Sequence, residues 1–227
     1  MNFGDLAYPD VPTGAVHLLP LGATEPHGPH APLATDTLIS VGICNRAAER
    51  LEGEIHVLVL PAVPYGVTRY GSAFPGAVSI GEETLRSLVT EIADTVGRLV
   101  LVNSHFEPEQ VETLRSTGLP LLDLTRRKNA ERLTDEFRSG SCHAGQYETS
   151  LVLADRPDLV HSDRMLALEE RHVDMPAAIR AGQTDFAAMG MDLAYSGAPA
   201  EASAEEGRQT FETLTEMLVE LIREVAA

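Results

Sequence analysis

The chain has 227 residues, of which 34 are acidic and 17 basic, so its formal net charge is −17. This charge repels phosphate, so neither a nucleic-acid-binding surface nor docking on an anionic membrane is expected. The chain has only two cysteines, Met1–Pro12 does not resemble a leader peptide, and no apolar run approaches the ~18–20 residues that span a bilayer. We therefore expect the protein in the reducing cytoplasm.

Short apolar runs alternate with amphipathic stretches, which is typical of a layered α/β fold. In chain order, the sequence predicts a strand over 15–20, a helix over 36–52, a strand over 56–63, a helix over 82–97, a strand over 98–103, a helix over 109–116, a strand over 119–124, and helices over 129–138, 145–154 and 204–225. Asp36 is expected to cap the first helix. Strands separated by helices are expected to pair in parallel through right-handed crossovers. No repeat, low-complexity tract or linker divides the chain, so we predict a single domain over residues 1–227.

Polar side chains that suit metal ions follow the first predicted strand. Glu25 and His27 are two residues apart, so an extended segment points both side chains the same way, and Asp36 follows where the chain has room to turn back. Two carboxylates and an imidazole form a mixed set of oxygen and nitrogen ligands that suits Zn²⁺, Mn²⁺ or Fe²⁺. The alternative is a solvated turn built from prolines and glycines.

A second pair with the same spacing, His105 and Glu107, follows the third predicted strand. The carboxyl ends of adjacent parallel strands lie ~5–10 Å apart, so the two clusters are expected to meet. Five ligands are too many for one tetrahedral ion and suit two ions ~3.5–4 Å apart that share a carboxylate. Taken alone, the second pair also fits a capped helix start with a hydrogen-bonded histidine.

A third polar cluster, with His143 and Glu148, lies near a predicted helix start. An imidazole there can supply the proton for a departing amine. The alternative for this segment is a helix cap with a buried polar pair.

Together these segments resemble the creatininase (creatinine amidohydrolase) family. The stretch from Gly22 to Asp36, GATEPHGPHAPLATD, is similar to the family pattern G-[ST]-T-E-x-H-G-P-H-x-P-x-x-T-D. Further similarity lies in Phe74-Pro75-Gly76 with Ser79, in Asn103-Ser104-His105, and in residues 143–150 and 197–207. The matching segments occur in collinear order over nearly the whole chain.

The resemblance implies a three-layer α/β/α fold around a mostly parallel sheet, commonly assembled into homo-hexamers. It also implies two divalent metal ions, with zinc as the first choice and manganese or iron as alternatives. Glu25 and His105 would bind one ion, His27 and Glu107 the other, and Asp36 would bridge them.

In the same family pattern, His143 would be the catalytic general acid and base. Glu148 would support it as a near neighbour, and His30 would shape the first loop.

The implied function is the hydrolysis of a C–N amide bond in a small cyclic or linear amide. A short peptide substrate, as in the mycofactocin-maturation branch, is the alternative, and an inactive metal-binding module is a third interpretation. Pro26 and Pro108 replace a usual Gln and Asn, and the chain has no tryptophan. These departures move the expected substrate away from creatinine itself. Arg69 is either a ligand for an anionic group of the substrate or an exposed loop residue.

Overall fold

The computed structural model describes all 227 residues. Four parallel strands form the central sheet in the order β2-β1-β3-β4. The strands are β1 (Val16–Leu21), β2 (Val57–Val59), β3 (Leu99–Asn103) and β4 (Leu121–Leu122). The helices are α1 (Thr35–Arg50), α2 (Glu82–Val96), α3 (Pro108–Ser116), α4 (Arg127–Ala130), α5 (Asp135–Ser139), α6 (Gln146–Asp155), α7 (Ser162–Leu166), α8 (Met175–Arg180) and α9 (Ala204–Ala226).

Helices cover both faces of the sheet. On one face, Leu18 belongs to a buried apolar cluster that includes residues of α1, α6 and α9. On the other face, Leu19 and Leu101 pack with Leu85 of α2. Neighbouring residues of a strand point to opposite faces, so a strand buried on both sides is continuously apolar, as in parallel sheets covered by helices. The predicted three-layer α/β/α fold with a parallel sheet is confirmed.

The structure corrects three details of the predicted elements. The helix predicted over 129–138 is two short helices, because the Thr134 hydroxyl accepts a hydrogen bond from the backbone amide of Phe137 and starts α5 anew. Strands β2 and β4 are shorter than predicted. Asp36 does not cap α1, since it lies inside the first turn and its side chain is buried.

The long helix α9 holds α6 in place. Gly207 of α9 lies so close to α6 that a Cβ atom there would overlap the carbonyl oxygen of Ser150. Because an overlap with backbone cannot be relieved by a rotamer change, only glycine permits this approach. The packing fixes the axis of α6, which carries Glu148.

None of the helices is both long and apolar enough to cross a membrane.

Candidate metal centre

The centre lies at the carboxyl ends of β1 and β3, which are paired from His17–Leu99 to Leu21–Asn103. The loop after β1 carries Glu25 and His27, and the loop after β3 carries His105. Ligands in open α/β folds bind at this edge of the sheet, because the strand ends there present loops to one crevice. The predicted meeting of the two clusters is found in the structure.

Asp36, in the first turn of α1, lies between two imidazoles. Its Oδ1 is 3.0 Å from Nε2 of His27, and its Oδ2 is 3.1 Å from Nδ1 of His105. Oε1 of Glu25 is 3.2 Å from the same Nδ1 of His105, and Oε2 of Glu148 is 3.7 Å from Nε2 of His27. All five side chains are buried.

Three sets of side chains here could each hold a metal ion: one is Glu25 with His27 and His143, and the other two are triads that share Asp36. Glu25, Asp36 and His105 form the first of these triads, which we call the His105 triad, and His27, Asp36 and Glu148 form the second, the His27 triad. Within each triad the donor atoms lie within 4.8 Å of one another. Asp36 is common to both, so one carboxylate joins two sets of ligands.

The orientation of the imidazoles suits metal ions better than hydrogen bonds. Nε2 of His27 and Oδ2 of Asp36 are buried and lack a well-formed hydrogen bond, although Nε2 lies only 3.0 Å from Oδ1 of Asp36. The other nitrogen of each ring has a backbone partner: Nδ1 of His27 donates to the carbonyl of Glu25 (3.1 Å), and Nε2 of His105 donates to that of Val67 (2.9 Å). When the ring is neutral, such a bond places its proton on the outer nitrogen and leaves the inner nitrogen with a lone pair for a metal ion.

Glu107 does not join either triad. Its carboxylate accepts hydrogen bonds from the backbone amides of Arg69 (2.9 and 2.8 Å) and Tyr70 (3.2 Å), and its Oε2 is 3.9 Å from Nε2 of His105. Burial raises the pKa of Glu107 to about 7, although His105 and the two amides act in the opposite direction. The structure therefore places a carboxyl group with a raised pKa at the edge of the centre.

The charges within the centre depend on one another. Burial opposes protonation of His27, but Asp36, Glu148 and Glu25 outweigh it and raise the pKa of His27 to about 10. The pKa of Asp36 is lowered in return, because His27 and His105 outweigh its burial. Burial raises the pKa of Glu148 to about 8, with His27 offsetting part of the rise. Carboxylates thus outnumber cations here, and protons or metal ions must supply the balancing charge.

His143 lies beside the centre as a neutral base. Burial lowers its pKa to about 4, and the positive charge of His27 adds to the effect. Its Nε2 donates to the carbonyl of Pro26 at 2.9 Å, so Nδ1, 3.9 Å from Oε1 of Glu25, carries the free lone pair. The ring of Phe186 covers the imidazole with a centroid distance of 4.2 Å. A shielded neutral imidazole can take up a proton and release it again.

Two polar side chains that the motifs did not single out hold this arrangement. The buried hydroxyl of Thr68 donates a short hydrogen bond to Oε2 of Glu25. Glu136 of α5 accepts hydrogen bonds from the backbone amides of Gln146 (2.9 Å), Tyr147 (2.8 Å) and Ala198 (2.8 Å). Because α6 begins without a capping side chain of its own, Glu136 supplies the anion at its N-terminus.

Glycine is needed around the Glu136 carboxylate. A Cβ atom at Gly145 or Gly197 would overlap the carboxylate, and Gly197 also has a φ of 125°. No periodic pattern in the sequence indicates that glycine is required at these two positions. Helix α6, which carries Glu148, is therefore tied to α5 and to the segment after Tyr195.

A cavity of about 550 Å³ opens from the centre. Glu25, Asp36, His105, His143 and Glu148 form its polar end. The remaining wall is largely apolar and includes Tyr70, Phe106, Phe137, Met175, Ile179 and Phe186. Such a cavity is the size of a small-molecule or short-peptide site, with a few polar groups that fix orientation.

His30, Pro108 and Arg69, the remaining residues discussed from the sequence, make contacts that stabilise the fold and do not belong to the triads. His30 bonds Oγ1 of Thr149 at 2.9 Å and belongs to neither triad. Pro108 begins α3 at a position where the missing amide hydrogen has no cost. The guanidinium of Arg69 is paired with Glu82 at 2.7 Å, so it is not a free cation.

Comparison with known proteins agrees with this site. The sequence profile described as "Creatinine amidohydrolase" (Creatininase) matches residues 5–222. The chain belongs to the creatininase family. This confirms the expected family and class of activity, so the chain is a hydrolase that acts on C–N bonds.

Members of the creatininase family with different substrates are similar to this chain. The mycofactocin precursor peptide peptidase of Mycobacterium ulcerans (strain Agy99) is 33% identical over 216 residues, which cover 90% of this chain and 83% of the relative. The creatinine amidohydrolase of Pseudomonas putida is 30% identical over 245 aligned positions, covering 92% and 89%. Solved structures of a Zn-Zn creatininase mutant and of a manganese creatininase superpose with TM-scores of 0.75 and 0.73, each at 27% identity over 98% of this chain and 97% of the other.

Proposed function

We propose that this chain is a two-metal amidohydrolase. The His105 triad would hold one divalent ion and the His27 triad the other, with Asp36 bridging them. The observation that carries the proposal is the position of Asp36, whose two oxygens face the two imidazoles at 3.0 and 3.1 Å. We assign to Glu148 the place beside His27 that the family resemblance gave to Glu107, because Oε2 of Glu148 is 3.7 Å from Nε2 of His27, whereas the near imidazole of Glu107 is His105.

The donor set supports zinc as the first choice of metal, with manganese or iron as alternatives. Each triad offers one imidazole and two carboxylates, a set that suits all three ions. Three protein ligands leave coordination positions open for water and substrate. The zinc and manganese forms of the structural relatives agree with this choice.

The catalytic roles follow from what each group can do with a proton. A bound pair of divalent ions lowers the pKa of water and polarises an amide carbonyl. His143, neutral and shielded by Phe186, would pass a proton to the departing nitrogen through Nδ1. Glu107, with a pKa raised to about 7, is proposed to exchange protons at the edge of the cavity and not to bind metal directly.

The cavity supports an amide substrate that carries an apolar group. The cavity wall includes the side chains of Phe106, Ile179 and Phe186, which offer no hydrogen bonds to a polar ring. A small linear or cyclic amide and a short peptide remain the two candidate substrates. The apolar wall favours the peptide, as does the similarity to the mycofactocin precursor peptide peptidase. An inactive module is disfavoured, because both triads and His143 are present in one buried cluster.

Two further expectations belong to this proposal. The chain is proposed to act in the cytoplasm, in keeping with its cysteine content. It is also proposed to form a homo-oligomer, a hexamer by resemblance. Size-exclusion chromatography with light scattering measures the mass of the assembly directly.

The activity is tested with protein stripped by a chelator and then reloaded with zinc or manganese. Creatinine, formamides and N-acetyl dipeptides with apolar or polar residues form the panel. We expect metal-dependent release of amine from the apolar members. Equal rates in the stripped protein, or no turnover of any amide after reloading, would contradict the proposal.

A further inference from the structure

Arg180 differs from every other arginine in the chain. Each of the others donates at least one hydrogen bond from its side chain. The side chain of Arg180 has no hydrogen bond and no ion pair, although the chain offers 34 acidic residues. A guanidinium without a partner keeps all five of its donors available to a ligand.

The unpartnered arginine lines the cavity of the proposed active site. It ends α8, and Met175, Pro176 and Ile179 of the same helix line the cavity with it. Met175 and Ile179 also pack against an apolar cluster that contains Phe186, the residue that covers His143. Helix α8 therefore presents an apolar surface and a cation to the same space.

Of the two arginines that line the cavity, Arg180 is the one without a partner. Arg138, which lines the cavity too, donates to the carbonyl of Leu133 and pairs with Asp135. Arg69, the arginine suggested by the sequence, is paired with Glu82. The protein as a whole repels anions through its net charge of −17, and Arg180 places a local cation on the cavity wall.

We propose that Arg180 binds the carboxylate of an apolar, acid-bearing amide, such as an N-acyl amino acid or a peptide that ends in an apolar residue. The apolar group would lie against Ile179 and Phe186, and the carboxylate would accept paired hydrogen bonds from the guanidinium. This inference rests on the proposed function, since it assigns the substrate class of the same cavity.

Binding of two matched compounds to the zinc-loaded protein tests the inference without turnover. Phenylbutanoate and phenylbutanol share the apolar group and differ in the acid, and neither contains an amide. Titration calorimetry would compare wild type, Arg180→Gln and the matched control Arg208→Gln, whose arginine is exposed on α9 and paired with Glu205. We expect wild type and Arg208→Gln to prefer the acid by roughly tenfold, the value of a charge-assisted hydrogen bond, and Arg180→Gln to lose that preference.

Three results would overturn the inference. If Arg180→Gln keeps the preference for the acid, the metal ions bind the carboxylate and Arg180 does not. If wild type binds both compounds equally or neither of them, the cavity has no acid-binding group. If Arg180 serves only the C-terminus of α8, its substitution lowers thermal stability and leaves the preference intact. A failure of amide hydrolysis in the activity panel changes none of these readouts, so the two proposals fail separately.

Discussion

Substitution of Glu136 by Gln tests whether this residue fixes α6. Oε2 of Glu136 accepts two of the three backbone hydrogen bonds and Oε1 accepts the third, from Tyr147. If the Gln oxygen takes the place of Oε2, its amide group faces the amide of Tyr147, so one charge-assisted bond is lost and two donors oppose each other. Bonds to charged groups contribute about 1.5–3 kcal/mol, and the partial exposure of Glu136 argues for the lower part of that range, about 2 kcal/mol.

Urea unfolding of the zinc-loaded protein measures this change in the free energy of unfolding. Asp135→Asn is the matched control, since Asp135 is the adjacent acidic residue of α5 and its side chain is exposed. Because α6 carries Glu148, we also expect weaker binding of one metal ion in Glu136→Gln. A loss of less than about 0.5 kcal/mol, the usual size of a surface substitution, together with unchanged metal affinity would refute the role assigned to Glu136.

Further predictions concern the centre and His143. In metal-free protein, the pKa of His27 is raised from 6.5 to about 10 and that of Glu148 from 4.5 to about 8. Between pH 7 and 9 the folded state therefore binds more protons than the unfolded state. The free energy of unfolding should fall as the pH rises over this range. Urea titrations of stripped protein that show a flat or rising profile would contradict this. His143→Asn should lower kcat by about 10²–10⁴-fold with the metal content unchanged, and full turnover in stopped assays would exclude His143 as the acid. Thr68→Val, which removes the hydroxyl bonded to Glu25, should weaken metal affinity about 10–100-fold in chelator competition, and wild-type affinity would show that this bond does not matter.

Much of the fold and half of the centre follow from local sequence patterns. Continuous apolar runs predicted four parallel strands. The pairs Glu25/His27 and His105/Glu107, each two residues apart, were predicted to lie just beyond the ends of adjacent strands. Spacing does not decide which carboxylate faces which imidazole. Glu148 reaches His27 because α6 is set by Gly207 and Glu136, contacts distant in the sequence.

The wall of the cavity was the least predictable part. Phe186 and Arg180 lie in a segment rich in Gly, Pro, Asp and Ala without a clear period, and α7 and α8 were not predicted there. Their positions depend on tertiary contacts such as the bond from the amide of Phe186 to the carbonyl of Tyr70. Thr134 likewise divides the predicted helix 129–138 through one side-chain bond.

Metal content per chain in two glutamate variants tests the two-metal account most directly. Elemental analysis would compare wild type, Glu148→Gln and Glu107→Gln after identical loading with zinc and removal of free ions. We expect about two ions per chain in wild type and in Glu107→Gln, and about one in Glu148→Gln, because only Glu148 belongs to a triad. If Glu107→Gln loses an ion and Glu148→Gln keeps both, the proposed ligand sets are wrong.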